Sequence, residues 1–323
     1  MISRRTLAAS VVALVVAPLL SACGGDSDAA TGTGTSGTKQ AGGVNIGPEQ
    51  NRIRAKKVDE IASLVPADIR KRGTLKLGQS ADASPPLGFY ATDDKTRIGS
   101  EIDLATLVAD TLGLKLDNEE VSWENLFVGL DSGKFDAVFS NVTVTEERKE
   151  KYDFATYRLD NIAFEAKKGT DWKIQGPEDV AGKTIAVSSG TNQEKILVDW
   201  SKQNEKAGRK PVDIKYFQKD TDYYLALQSG RIDAYLGPSP SAAYHVATAK
   251  QSIVVGTLSG AGDGLQGKIA ATTKKGSGLV DAYAAALDHV IEDGSYERVL
   301  KRWGLSSEAV PKSEINPPGL PKI

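Results

Sequence analysis

Two short stretches of the chain bring together residue types suited to gripping an anion. In Thr143-Val-Thr-Glu-Glu-Arg148 a strand end delivers hydroxyls and a guanidinium to one place, and a guanidinium holds a carboxylate through two parallel hydrogen bonds. Arg148 is therefore the candidate carboxylate clamp. In Ser189-Gly-Thr-Asn-Gln193 a turn joins a strand to a helix, so its backbone amides point at an anion that the helix dipole also favours. Thr191 and Asn192 are expected to share the carboxylate with Arg148, and Ser189 and Gln193 of the same turn are expected among the ligand-binding residues. Bond-breaking chemistry is less well provided for. His245 and His289 are the only histidines; both fall in predicted helices, and neither stands at a catalytic spacing. No metal-ligand or phosphate-loop signature is present, and no cofactor is implied.

The elements that must position these residues form two like series. In the first, Pro66 and Gly73 bracket a short helix. Thr74–Gly78 then reads as a strand, 102–112 as an amphipathic helix stopped at Gly113, and 114–121 as a strand, followed by helix 125–132 and a buried strand over 135–142. The second runs from a short helix at Pro177 through strand 184–188, helix 193–203, strand 213–217, helix 222–229 and strand 232–236 to a helix near 241–248. Leu130-Asp-Ser-Gly-Lys-Phe-Asp-Ala-Val-Phe139 matches Leu227-Gln-Ser-Gly-Arg-Ile-Asp-Ala-Tyr-Leu236 at Leu, Ser, Gly, Asp and Ala. In each copy a helix ends at glycine and feeds a strand whose far end lies beside a ligand crevice. Strand 268–273 and helices 279–293 and 296–303 are expected to return to the first unit. The chain then crosses twice, near 164–168 and near 262–268, to make a two-segment hinge. The reading is an α/β protein of two lobes: 51–165 with 267–323, and 166–266.

Composition agrees. A chain of 323 residues with 40% hydrophobic content is long enough for two packed lobes. Lys+Arg 40 against Asp+Glu 42 leaves no basic field to hold phosphates, which excludes nucleic acid as the natural partner. At the start, Arg4 and Arg5 precede a short apolar run from Leu7 to Leu20, the pattern of an export signal over 1–22. Leu20-Ser-Ala-Cys23 resembles the bacterial lipobox. Cys23 is the only cysteine and so has no internal disulfide partner, which makes lipidation its expected role. The twin arginine leaves the export route open. Residues 23–50 offer little to bury and are expected to be a lipidated N-terminus and disordered tether reaching roughly 30 Å.

Gly99-Ser-Glu-Ile-Asp-Leu-Ala105 resembles the signature of bacterial solute-binding protein family 3, mostly polar amino acid receptors of ABC transporters. Trp123 to Leu130, Gly133-Lys-Phe-Asp-Ala137, Thr143 to Arg148 with Asp153-Phe154, Gly182-Lys-Thr-Ile-Ala186, Gly190-Thr-Asn-Gln-Glu194 and Ser229 to Ala234 fall in family order. The resemblance covers essentially 74–305. It implies the two-lobed type II periplasmic-binding fold. It also implies a function: a lipoprotein on the extracytoplasmic face of the cell membrane that closes on a small carboxylate solute, an amino acid or its derivative, and acts as a monomer with an ABC permease and its ATPase. It places Asn141 and Thr143 at the strand end where relatives hold the ligand with small polar groups, and Trp123 where relatives pack an apolar or aromatic side chain on it.

Two departures follow from the same comparison. Many relatives present an aspartate to the ligand's ammonium where this chain has Pro238. The ligand then lacks a primary ammonium, or Asp82, Asp220, Asp222 or Tyr235 serves it from elsewhere. The loop Ser80-Ala-Asp-Ala-Ser-Pro-Pro-Leu87 also lacks the usual ligand-stacking aromatic, so that face is missing or is supplied by Phe89 or Tyr90. A few members of the fold are dehydratases of carboxylated rings, and others are sensors; these are the rival readings.

Overall fold

The computed structural model describes residues 40–41 and 43–322. The expected export signal over 1–22 and Cys23 lie outside the described residues. The elements that build the site are, in chain order, β1 (Thr74–Ser80), α1 (Ser100–Leu112), β2 (Lys115–Val121), α2 (Trp123–Ser132), β3 (Ala137–Val138), β4 (Tyr152–Lys167), β5 (Thr184–Val187), α3 (Asn192–Lys206), β6 (Asp213–Tyr216), α4 (Asp220–Gln228), β7 (Ala234–Pro238), α5 (Ser239–Ala249), β8 (Ser252–Ser259), β9 (Gly267–Lys274), α6 (Val280–Glu292) and α7 (Ser295–Arg302).

All nine strands join one sheet in the order β6-β5-β7-β4-β9-β3-β1-β2, with β8 also on β4. Parallel pairing, as βαβ units require, holds β1 to β2 and β3, and β5 to β6 and β7. The long strand β4 is what splits the sheet into two lobes. Its residues 152–160 pair antiparallel with β9 in lobe 1, and 161–167 pair antiparallel with β7 and β8 in lobe 2. The chain therefore passes between lobes at Asp160-Asn161. Residues 164–168, where the sequence suggests a crossing, run instead inside the lobe 2 sheet and its edge. Polar residues in the middle of β4, Arg158, Asp160 and Asn161, disguise it as irregular chain; Arg158 and Asp160 are buried. The second crossing lies between Ser259 and Gly267, where β8 ends and β9 begins.

The cores follow the lobes. In lobe 1, Leu75 and Leu77 of β1 pack with Leu104, Leu107 and Val108 of α1 and with Leu287 and Val290 of α6. In lobe 2, Phe164, Ile185, Val187, Leu197 and Trp200 form the centre, with Phe164 stacked on Trp200. The repeated helix stops are both real turns: Gly133 and Gly230 adopt left-handed φ of 74° and 72° before β3 and β7.

The described residues are tied down at both ends of their span. Val44, inside the segment expected to be a tether, is buried in the lobe 1 core, and Arg52 pairs with Asp103. Residues 44–50 are thus packed, because Val44 and Ile46 supply apolar side chains that a Gly-rich count overlooks. At the other end, Leu320 exchanges backbone hydrogen bonds with Val144 and Glu146, and its side chain enters the lobe 2 core beside Ile162 and Ala261.

Candidate functional site

Between the lobes runs a cleft of about 100 Å³ lined by residues of both. Lobe 1 lines it with Asp82 and Leu87 from the loop after β1, with Trp123 and with Asn141. Lobe 2 contributes Thr191, Asn192 and Gln193 at the start of α3, Tyr223 of α4, and Tyr235 and Pro238 of β7.

The floor under Asn141 is built from buried charge. Asn141 has a left-handed φ of 53°, a conformation that asparagine tolerates better than most residues. Its N–H donates to Glu101 Oε2 at 3.1 Å, and its side-chain carbonyl accepts from Arg158. Arg158 in turn pairs with Glu101 and Glu308, and the Tyr157 hydroxyl donates to Glu101. Glu101 of the Gly99–Ala105 signature thus positions the site from behind. Asp103 of the same signature accepts from Trp303 Nε1 at 2.8 Å and fastens α7 to α1.

Arg148 spans the gap between lobes. Its Nη1 donates to Thr143 O at 2.9 Å on lobe 1 and its Nη2 to Gly190 O at 3.1 Å on lobe 2. The half-buried guanidinium also sits over the rings of Trp123 and Phe127, 5.4 and 5.2 Å from their centroids, a favourable cation–π position. Desolvation pushes Arg148 down to about 10, opposed by the charge of Asp160 and by Tyr152, so it stays cationic at neutral pH. Two of its five N–H donors are committed to these carbonyls, and three remain. Arg148 is at the cleft edge rather than on the lining itself.

The other sequence-selected residues divide. Thr143 is fully buried behind the cleft, with its hydroxyl donating to Asp160 Oδ2 at 2.7 Å. Thr191 caps α3, accepting from Glu194 N at 3.2 Å. Asn192 faces the cleft but turns its amide to Asp160 at 3.1 Å and to Gly260 O at 2.8 Å. Ser189 is off the lining, and its neighbour Ser188 takes that place. Trp123 donates from Nε1 to Gly190 O at 3.3 Å. Gly190 has a left-handed φ of 74°, which lets the turn present that carbonyl to both Trp123 and Arg148. Further contacts across the gap join Gln218 to Glu124, Ser84 to Asp220 and Lys195 to Glu147. The lobes are closed on each other.

Neither aromatic proposed for the missing face supplies it. Phe89 packs edge-on against Trp303 in lobe 1, and Tyr90 is exposed with its hydroxyl on Glu120. The aromatic surface comes from lobe 2, where Tyr223 and Tyr235 stack 3.6 Å apart. Sequence reasoning missed Tyr223 because it lies on a helix whose other buried residues are ordinary core. Neither histidine lines the cleft: His245 is bonded to Glu165 and stacked on Tyr224. Among the described residues no group of His, Cys, Asp or Glu is arranged to hold a metal, and no helix is long and apolar enough to cross a membrane.

The model of bacterial extracellular solute-binding proteins, family 3, matches residues 75–306. The chain belongs to this family. It is 31% identical over 236 residues to the L-cystine-binding protein TcyJ of Escherichia coli K12, covering 73% of this chain and 84% of that one. It is 30% identical to the arginine-binding protein ArgT of Corynebacterium glutamicum, over 80% and 83%. Among solved structures it is similar to a mutant of ArgBP from T. maritima (TM-score 0.62, 27% identity, 73% of this chain and 97% of that one). It is also similar to the ancestral amino acid-binding protein AncCDT-1, a precursor of cyclohexadienyl dehydratase (0.62, 29%, 75% and 98%). The curated relatives are named as binding proteins for L-cystine and arginine. This family 3 chain is a solute-binding protein, not an enzyme.

Proposed function

We propose that this protein is the receptor of an ABC importer and captures an amino acid, or a close derivative, by its carboxylate. The observation that carries the reading is the position of Arg148. Its guanidinium touches both lobes at once, through Thr143 O and Gly190 O, and keeps three donors for a guest. A carboxylate entering beside it meets the N-terminus of α3 from the opposite lobe, where Thr191 and Gln193 open onto the cleft. Relatives named for cystine and arginine binding support an amino acid as the guest. Closure is then a population shift toward the one arrangement in which both lobes contact the ligand. Lobe 1 takes 51–165 with 267–323 and lobe 2 takes 166–266 in this reading, with the crossing in β4 placed a few residues earlier.

Export over 1–22 and lipidation at Cys23 would hold the receptor as a monomer on the extracytoplasmic face of the membrane, beside its permease and ATPase. Two acyl chains are enough for stable anchoring. Replacing Cys23 with Ala is expected to release the protein from the membrane fraction into the soluble extracytoplasmic fraction; retention in the membrane would remove the anchor.

The carboxylate reading is tested by calorimetric titration of the wild type, Arg148→Ala and Arg148→Lys against a panel of L-amino acids that includes L-cystine. Loss of a charge-assisted pair in a desolvated site lowers affinity at least 100-fold in the Ala form. Unchanged affinity in that form discards the clamp.

A further inference from the structure

A carboxylate-gripping cleft leaves the other end of an amino acid to be accommodated, and the usual acid is absent because Pro238 stands in its place on the cleft wall. Four residues could substitute, and their surroundings separate them. Asp222 does not line the cleft. Asp220 lies at the cleft mouth with its two oxygens occupied, Oδ2 by Ser84 Oγ at 3.2 Å and Oδ1 by Thr221 N at 2.7 Å. Tyr235 is stacked on Tyr223, and its hydroxyl lies 3.4 Å from Ser188 Oγ. Asp82 differs from all three. It opens onto both the cleft and its mouth, and it is the one carboxylate among the described residues that line the cleft. It also forms no ion pair with Lys or Arg among the described residues.

We propose that Asp82 is the specificity-determining residue that receives the ligand's ammonium group, in the role Pro238 cannot fill. The assignment rests on the carboxylate-capture reading above and extends it to a zwitterionic guest. Two further observations support it. Desolvation lifts Asp82 above the usual carboxylate range, and Glu124 and Asp220 add to the effect, against the pull of the Trp123 backbone N–H and the charge of Lys219; an arriving cation relieves that cost. Gln193, only 5% exposed, lines the same cleft and offers it an amide. A guest with a carboxylate, an ammonium and a polar atom for Gln193 answers all three features.

The probes are the tightest-binding member of the L-amino acid panel, its N-acetyl derivative and its α-hydroxy acid counterpart. Each is titrated calorimetrically into wild type, Asp82→Asn and Asp220→Asn, after thermal melts confirm folding of the ligand-free variants. The expected result is a 10- to 100-fold preference of the wild type for the amino acid over both analogues. Asp82→Asn abolishes that preference by losing the amino acid while keeping the analogues, and Asp220→Asn changes it less than about threefold. Equal amino acid affinity in Asp82→Asn and wild type overturns the assignment. So does an equal loss in Asp220→Asn, which would show a general field at the mouth rather than a contact. If the analogues bind wild type as tightly as the amino acid while Arg148→Ala still abolishes binding, the ammonium site falls and the carboxylate reading stands. If Arg148→Ala binds normally while Asp82→Asn does not, the carboxylate reading falls and the ammonium site stands.

Discussion

Asp160 accepts a hydrogen bond from Asn192 Nδ2 at 3.1 Å, and the same oxygen accepts from Thr143 at 2.7 Å. One buried acid therefore ties the start of α3 in lobe 2 to the strand end of lobe 1, at the point where β4 passes between them. Thr143 and Asn192, two of the residues that sequence reasoning assigned to the ligand, spend their side chains on this tie. The tie lies directly beside the cleft lining, because Asn192 and Gln193 are consecutive on α3.

The tie should respond to pH. Burial pushes Asp160 up to about 6, against the pull of the Thr143 hydroxyl, Arg158 and Arg148, while Glu308 adds to the rise. An acid whose folded value lies above its unfolded value of about 3.8 takes up a proton more readily when folded. Its contribution to stability is complete below pH 4 and is lost as pH rises through 6. The shift of roughly two units corresponds to about 3 kcal/mol. Urea denaturation of wild type and Asp160→Asn at pH 4, 5, 6 and 7 should show the wild type losing ground to the variant across that interval; parallel curves would refute the account.

Gly260 is held to glycine by the same acid. A Cβ there would sit 1.8 Å from Asp160 Oδ2, so Gly260→Ala must displace the carboxylate from Thr143 and Asn192. A destabilisation of about 2–4 kcal/mol is expected by chemical denaturation. The double variant with Asp160→Ala makes room for the new methyl and should be clearly less unstable than the sum of the two single changes. Simple additivity would show that the contact is not the cause.

Arg158 carries the floor of the cleft. Replacing it with Leu strands Glu101 and Glu308 as buried, unpaired carboxylates, at a cost of about 3–5 kcal/mol. Changing both acids to Gln in the same chain should recover most of that loss. Thermal and urea melts of the three proteins decide the matter, and a single variant as stable as wild type would contradict the network.

Leu320 tests whether the C-terminal segment matters to the lobes. Its side chain is 2% exposed beside Ile162 and Ala261, while its backbone pairs with Val144 and Glu146, two residues before Arg148. Leu320→Ala should cost about 2–3 kcal/mol by loss of burial and the cavity left behind. An effect below about 0.5 kcal/mol would mean that the segment only rests on the surface.

Much of the architecture was legible because it is local. The twin helix stops at Gly133 and Gly230 are left-handed turns that any chain with that spacing must make. Helix α1 ends at Gly113 as read, and Thr145 accepts from Arg148 N at 3.1 Å to start its turn. The sequence also marked Arg148 and the 189–193 turn as belonging together, since each has an anion-binding chemistry written in a few adjacent residues.

What it did not contain was which side chains the fold would use up internally. Thr143 and Asn192 turned inward because Asp160, distant from both in sequence, arrives between them on β4. That strand was itself hidden, since Arg158, Asp160 and Asn161 interrupt its apolar pattern, and only tertiary pairing makes charges tolerable there. The absence of a stacking aromatic in the loop after β1 was plain in the sequence; that Tyr223 and Tyr235 furnish an aromatic wall from the other lobe required the two lobes to meet. Local spacing determines turns, helix ends and the chemistry of single side chains, but partner choice between segments tens of residues apart is settled by packing and desolvation, which only the folded chain brings about.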